Sequence, residues 1–259
     1  MNLTVARQMI AAEFLKLRKR RGVIAWALVL ACGSLLVYLG YASIQHASNP
    51  ADGPAGGVDG FERMLRMMGF FMAPLAAIMI GAEAGSSDRA NGVFRDLVVT
   101  GRSRLALFFV RVPGALMLTM LVVALAFGIA VGGAFLFAGG TPTPSGSWIA
   151  KAAGWVLLAN GALCVVAVGL ASLIGSRTAA VTALIGWQLV ASPLLIEATS
   201  LGRARYALLD SALSEIRPGH QLGHIPSIGM SVAAVVVCVV LWLVATTAVG
   251  AWRTATQDA

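Results

Sequence analysis

Charged residues are scarce in this sequence. Only 12% of its 259 residues are Asp, Glu, Lys or Arg, whereas 58% are hydrophobic. A soluble domain has about 25% charged and about 45–50% apolar residues. The composition therefore excludes an ordinary soluble globular domain and indicates a chain that lies largely in lipid.

Motifs for catalysis and nucleotide binding are also missing. The sequence has no G-x-x-x-x-G-K-[ST] phosphate-binding loop, no H-E-x-x-H and no G-x-S-x-G. His220 and His224 have the i, i+4 spacing of two metal ligands on a helix. Pro218 and Pro226 flank them, however, and no third ligand is nearby. We expect no metal site, no cofactor held by this chain and no enzymatic activity.

Cysteine is rare in this sequence. The three cysteines are Cys32, Cys164 and Cys238, and each lies in an apolar run. None has a second cysteine at the spacing of a metal or redox motif. We interpret them as small apolar packing residues.

Long apolar runs are what the sequence has in quantity. A spanning helix needs about 20 mostly apolar residues, and its backbone must form hydrogen bonds within the segment. Six runs meet this requirement: residues 23–44, 61–82, 112–138, 149–174, 179–197 and 228–252. The sequence predicts an all-α membrane protein with six transmembrane helices, forming one domain over residues 1–259.

The residues before the first span combine apolar residues on one helix face with a run of basic residues. Apolar side chains that share one helix face in residues 2–20 are Val5, Met9, Ala12 and Leu17. This favours a helix lying in the membrane interface over a simple polar tail. A basic run then precedes an apolar stretch longer than the 7–15 residues typical of a signal peptide, so we interpret this stretch as a retained membrane anchor.

The distribution of basic residues predicts the orientation. With six spans, thirteen of the 19 Lys and Arg residues lie on the side of both termini. The other six are Arg63, Arg66, Lys151, Arg203, Arg205 and Arg217. Cytoplasmic loops carry the excess of Lys and Arg, so both termini are expected in the cytoplasm. The net charge of +8 then reflects topology and attraction to anionic lipid rather than nucleic-acid binding.

Prolines and an acidic residue mark local features of the third and fifth spans. Pro113 is expected in the first turn of span three, where proline is tolerated. Pro193 predicts a kink or unwinding in span five. Glu197 is expected to meet water at the external end of span five.

A short external helix is expected between spans five and six. Residues spaced for its apolar face are Leu209, Leu213 and Ile216, whereas Arg205, Asp210 and Glu215 are assigned to the other faces. Pro218 would end this helix.

In span three, Gly128 and Gly132 form a small-xxx-small pair that would allow close helix packing.

A charged segment, Glu83–Arg104, interrupts the apolar chain between spans two and three. Within it, Phe94, Leu97 and Val98 have the i, i+3, i+4 spacing of one helix face. Glu83 and Asp88 lie beside several arginines, which favours capping or ion-pair roles over acid–base catalysis. Gly92 and Gly101 are each expected to end a helix here.

The chain resembles the membrane subunit of an ABC exporter of the type-2 permease class. The resemblance covers the basic N-terminal run E-F-L-K-L-R-K-R-R, the six spans and the charged segment. In the charged segment, Glu83, Gly92, Leu97 and the Gly101–Arg104 turn look like the elements of the family pattern. A proline is common in the family where this chain has Thr100 or Gly101.

The resemblance implies a role and partners. The charged segment would contain a coupling helix that docks on a separate ABC ATPase subunit, which binds ATP and Mg. Residues assigned to docking are Glu83, Arg89, Phe94, Arg95, Leu97, Val98, Arg102 and Arg104. Two ATPases would join two permeases, either a homodimer or two related chains, in a bacterial plasma membrane. The apolar spans favour an amphipathic or hydrophobic cargo such as a peptide, a drug or a lipid-like molecule.

Two other classes stay open on the sequence alone. An ATP-independent secondary transporter would place coupling carboxylates or broken helices near the membrane midplane. No acidic residue lies in the middle of a predicted span. A membrane-embedded enzyme or sensor would need a nucleophile, a base or a metal constellation, and none is recognisable.

Overall fold

The fold is built from six long helices. The computed structural model describes residues 3–49, 51, 53–90, 92, 101, 103–219 and 229–256, which are helical with no strand among them. Six helices are long and apolar enough to cross a membrane, and we number them as spans one to six: Arg21–Ser48, Gly57–Asp88, Arg104–Leu136, Gly146–Ile174, Arg177–Glu197 and Val232–Thr256. The predicted class and number of spans are therefore confirmed.

Spans one to five begin two to eight residues earlier than predicted. Serines cap three of these helices, since Ser103, Ser145 and Ser176 each accept a backbone N–H from three residues further along. A capping serine satisfies a backbone donor that the first helical turn leaves without a partner. The helices can therefore extend into polar sequence beyond their apolar runs.

Pro113 does not lie in the first turn of span three, so this prediction was wrong. The helix begins at Arg104 and contains Pro113 in its interior. Proline has no backbone N–H and normally disturbs a helix from within. The cap at Ser103 sets the start, and hydrophobic packing of residues such as Leu107 and Phe108, both buried, holds the first turns in place.

The N-terminal helix, Leu3–Arg18, packs against span three. Leu17 is buried, and a Cβ at Gly114 would lie 2.8 Å from the Cβ of Glu13. Ala12 was predicted on the apolar face but is exposed, and Glu13 lies on the inner side instead. The missing side chain at Gly114 allows this close approach of the two helices.

Spans two and four pack closely against each other. A Cβ at Gly81 would lie 2.5 Å from the carbonyl oxygen of Cys164, and one at Gly85 would lie 2.5 Å from that of Val168. These two glycines are spaced like the predicted pair Gly128 and Gly132. At that pair no heavy atom lies within 4 Å of a Cβ position, so its packing role within the described chain is not seen.

Three spans contain a short π-helical stretch: Val29–Gly33, Met67–Phe71 and Trp187–Ala191. The last of these comes directly before Pro193, which stands at the start of the helix Ser192–Glu197. The wider π turn accommodates the carbonyl group that proline leaves without a hydrogen-bond donor. Span five runs without a gap from Arg177 to Glu197, so the irregularity before Pro193 is a change of helix type rather than an unwound segment.

The connection between spans five and six contains a 3-10 helix, Thr199–Ala207, and a short α-helix, Leu209–Glu215. Leu209 and Leu213 are buried as predicted, and Glu197 is exposed. Asp210 was expected on an outer face, which was wrong, because its residue is only 5% exposed. Span six covers one side of the short helix and span five meets its first turn, so more than one of its faces is buried.

Candidate functional site

The charged segment begins as the end of one helix and finishes as the start of another. The last α-helical part of span two, Met72–Ala90, extends into it, and Ser103 caps span three. Gly92 and Gly101 have φ of +70° and +79°, in the left-handed region that favours glycine. Both positions therefore mark turns between the two spans, whereas the residues between them lie outside the described part of the chain.

Part of the predicted docking set lies outside the described residues. This holds for Phe94, Arg95, Leu97, Val98 and Arg102, and for the side chain of Arg89. His220 and His224 also lie outside them. The site described below therefore consists of the described ends of the charged segment and the residues that contact them.

Asp88 is a buried acidic group at this end of the helices. Its Oδ2 accepts hydrogen bonds from Nε and Nη2 of Arg111, at 3.1 and 2.8 Å. Its Oδ1 accepts one from Nζ of Lys16 at 2.8 Å. The Asp88 and Arg111 side chains are 6% and 5% exposed. Asp88 thus joins the end of span two to span three and to the N-terminal helix.

Glu83, one turn earlier on span two, makes a second set of ion pairs. Its Oε1 lies 3.3 Å from Nε of Arg20, and its Oε2 lies 3.1 Å from Nε of Arg177. Arg20 comes immediately before span one, and Arg177 is the first residue of span five. The Glu83 side chain is only 6% exposed, so its carboxylate faces into the protein.

Glu13 extends the first set of ion pairs along the N-terminal helix. Its Oε2 lies 2.5 Å from Nζ of Lys16. Burial raises the pKa of the Glu13 carboxyl, and the positive charge of Lys16 opposes this rise. Lys16 therefore bridges two carboxylates, Glu13 on its own helix and Asp88 on span two.

We call these seven residues the basal cluster: Glu13, Lys16, Arg20, Glu83, Asp88, Arg111 and Arg177. Acidic and basic groups alternate in it, and the acidic ones on span two are buried. A buried charge is costly unless it is paired and hydrogen-bonded. The pairs therefore hold the N-terminal helix and the adjacent ends of spans one, two, three and five in a fixed arrangement.

Arg104 ties a further element to the same end. Its Nη1 donates a hydrogen bond at 3.3 Å to the backbone carbonyl of Ala255, near the end of span six. Arg104 and Glu83 are the predicted docking residues whose side chains the structure describes. Both are engaged in contacts within the chain, at the two roots of the charged segment.

Sequence reasoning expected ion pairs at Glu83 and Asp88, and the structure confirms them. It did not identify the partners, because these come from other helices rather than from the neighbouring arginines of the charged segment. Arg111 and Arg177 carried a usable signal, since each is a charged residue at the margin of an otherwise apolar helix.

Catalytic and metal-binding constellations are not part of this arrangement. In the part of the chain that the structure describes, no group of three or more His, Cys, Asp and Glu side chains is placed to hold a metal ion. The basal cluster consists of ion pairs that link helices.

Six apolar helices, four of them linked at one end by buried ion pairs, define a multi-pass membrane protein. The sequence model of the ABC-2 family transporter proteins matches residues 9–190, which include the N-terminal helix in part, the charged segment, spans one to four and most of span five. The chain belongs to this family and is a membrane permease of an ABC transporter, which associates with an ABC ATPase. No curated protein is significantly similar to the chain in sequence.

Proposed function

We propose that this chain is the membrane subunit of an ATP-driven exporter and that its charged segment receives the movement of a separate ATPase. The observation that carries this proposal is the basal cluster. It connects the end of span two, where the charged segment begins, to span three, to the N-terminal helix and to spans one and five. A connection with no mechanical role would not need buried ion pairs to four other elements.

The residues between Gly92 and Gly101 supply the contact. Phe94, Leu97 and Val98 would fill an apolar cleft on the ATPase, with most of the binding energy in the aromatic side chain. Basic residues around this face would meet acidic groups at the rim of the cleft: Arg89, Arg95, Arg102 and Arg104. Glu83 enters the proposal as the buried anchor that fixes the root of the segment.

Movement of the charged segment would pass to spans two and three through the chain itself. Through Asp88 and Lys16 it would pass to the N-terminal helix, and through Glu83 and Arg177 to span five. Ion pairs between elements can have two discrete arrangements, which is what a two-state transporter needs. ATP and Mg would be bound by the ATPase alone.

The proposed assembly contains two permeases and two ATPases in a bacterial plasma membrane, with both ends of each permease in the cytoplasm. The N-terminal helix would lie in the membrane interface. Gly128 and Gly132 have open space where a Cβ would be, so they suit close contact with a second permease, identical or related. The cargo would be amphipathic or hydrophobic.

The test is co-purification of the cognate ATPase with the Phe94→Asp variant. A charge in the centre of the apolar face should reduce the ATPase recovered by at least tenfold, since a hot-spot residue is worth about 2 kcal/mol or more. The matched control is Phe137→Asp, the same change in a half-exposed phenylalanine at the far end of span three. This control should retain the ATPase.

Normal recovery of the ATPase with Phe94→Asp would refute the docking role. Both variants are first compared with the wild type by size-exclusion chromatography, so that loss of the ATPase is not confused with loss of the helical fold. Proton-driven flux by the purified permease alone would instead support the secondary-transporter alternative.

A further inference from the structure

A second polar site lies among the helices, away from the basal cluster. Its centre is Asp210, on the short helix between spans five and six. The carboxylate accepts a hydrogen bond from Nε2 of Gln188 at 3.3 Å and another from Oγ of Ser192. Gln188 also donates to the backbone carbonyl of Phe70 at 3.5 Å. Phe70 and Gln188 both belong to π-helical stretches, which are frequent at functional sites.

Two cavities meet at this centre, and Gln188 and Asp210 line both of them. The first has a volume of about 330 Å³ and lies among spans two, four, five and six. Its apolar wall on span four runs from Leu163 to Ile174, which at 1.5 Å per residue is about 16 Å. The first cavity can therefore hold an elongated apolar group with one end at Asp210.

Aromatic side chains form another wall of the first cavity. The rings of Trp187 and Trp242 have centroids 6.5 Å apart, and both residues line it. Trp242 is held in place because its Nε1 donates to the carbonyl of Ala207 at 2.8 Å. Indole faces attract cations that lie within about 6 Å.

The first cavity has an acidic group on its walls and no cationic side chain to pair with it. Among its lining residues Asp210 is the one that can be charged. No described Lys, Arg or His places a nitrogen within 4.0 Å of this carboxylate, and its hydrogen-bond donors are neutral. The second cavity differs, because Arg66 and Glu197 also line it. A carboxylate that is 95% buried without a cation is costly unless a positive ligand joins it.

We propose that the first cavity binds a cationic amphiphile, with its ammonium group against Asp210 and its apolar chain along span four. The family match ends at residue 190, so it does not extend to Asp210. That such a molecule is the transported cargo rests on the function proposed above, whereas its binding does not. An alkylamine is the simplest ligand with this chemistry.

The test measures binding of radiolabelled dodecylamine and dodecanol to the purified permease, without its ATPase, in nanodiscs of an uncharged galactolipid. Empty nanodiscs supply the background. The wild type should bind the amine more tightly than the alcohol. Asp210→Asn should weaken amine binding by on the order of tenfold and leave alcohol binding within about twofold, since it removes a charge-assisted contact at nearly constant shape.

Two further variants keep this test decisive. Asp210→Glu retains the charge and should restore the preference for the amine over the alcohol. Glu197→Gln removes the exposed carboxylate of the second cavity and should leave the preference unchanged. Equal binding of the amine by the wild type and Asp210→Asn would overturn the proposal.

Two other results would also overturn it. One is loss of the amine preference in Glu197→Gln rather than in Asp210→Asn, which would move the site to the second cavity. The other is tighter binding of dodecyl sulfate than of dodecylamine, with dependence on Arg66. Because the ATPase is absent from the measurement, a negative result here leaves the docking proposal intact, and failure of docking leaves this one intact.

Discussion

Asp88 shows how much of this protein's stability depends on single charged residues inside an apolar structure. Its carboxylate and the guanidinium of Arg111 are both nearly inaccessible and face each other. Such a buried pair adds little stability to the fold compared with well-packed apolar residues at the same positions. Removing one partner, however, leaves the other charge buried alone, which costs about 3–5 kcal/mol.

Asp88→Asn should therefore destabilise the permease by about 3 kcal/mol, less whatever Lys16 and the new amide recover. Thermal unfolding in detergent should show a midpoint lower by about 6–12 °C, since each kcal/mol corresponds to about 2–4 °C for a protein of this size. Asp59→Asn, at an exposed position, is the control and should change the midpoint by at most a few degrees. Equal midpoints for the two variants would show that the Asp88–Arg111 pair does not hold these helices together.

Replacing Asp210 should have the opposite effect on stability to replacing Asp88. Burial raises the pKa of its carboxyl above the ordinary value of 3.8, although Ser192 and Gln188 favour the charged form. The folded protein then binds the proton more tightly than the unfolded chain, so stability falls as pH rises through the raised pKa. Asp210→Asn should have the higher unfolding midpoint at pH 8, and the difference should shrink toward pH 4.

Arg66 and Glu197 line the second cavity beside Asp210, so the pH dependence is compared in Glu197→Gln as well. With Glu197→Gln present in both proteins, Asp210→Asn should still raise the unfolding midpoint at pH 8. A lower midpoint for Asp210→Asn at pH 8 would mean that the charged carboxylate stabilises the fold. A residue that costs stability where it stands is typical of a binding site rather than of a packing position.

At the scale of elements, the contact between spans two and four is set by glycine. Gly81→Ala would place a methyl group 2.5 Å from the carbonyl of Cys164, so the helices must separate. We expect it to lower the unfolding midpoint. Gly154→Ala, in span four with no atom within 4 Å, should instead raise it slightly, because alanine favours a helix by about 1 kcal/mol over glycine. The same sign for both changes would contradict this packing role.

The sequence alone predicts the helices better than their contacts. Apolar length predicted six spans, because a helix satisfies the backbone groups of such a run within the run itself. Apolar length did not predict how far the helices extend. A serine such as Ser103 can lie in a loop or cap a helix, and only the structure shows that its hydroxyl caps one. Pro113 was misplaced for the same reason.

Contacts between elements follow from tertiary structure, which one sequence does not contain. The spacing at Gly128 and Gly132 is identical to that at Gly81 and Gly85, yet only the second pair meets a neighbouring span within the chain. Asp210 was assigned to an outer face because periodicity describes one apolar face, whereas its helix is enclosed on more than one side. The charged segment could be found from composition, but its partners on other helices could not.

Span five connects the two polar sites of the molecule. It begins at Arg177 in the basal cluster and reaches Gln188 at the cavities eleven residues later, about 16 Å along the helix. A displacement of Glu83 would therefore act on Arg177, and span five would carry it to Gln188 and Asp210. The π-helical stretch at Trp187–Ala191 lies at the point where this movement would reach the first cavity.

The proposed coupling requires the basal cluster to face the ATPase, and this requirement would set the topology of the whole molecule. The hydrogen bond from Arg104 to Ala255 places the end of span six beside the charged segment, whereas the connection at residues 139–145 lies after the opposite end of span three. The excess of Lys and Arg near the basal cluster predicts that this end faces the cytoplasm. Thr256 should then be cytoplasmic and Thr143 external.

Single cysteines test this assignment, because both threonines are exposed. Cys32, Cys164 and Cys238 are first changed to alanine, and Thr143→Cys or Thr256→Cys is introduced. A membrane-impermeant maleimide applied to intact cells should label the cysteine at position 143, whereas that at position 256 should react only after permeabilisation. The reverse pattern would put the basal cluster outside the cell, where no ATPase could reach the charged segment, and would refute the coupling route through span five.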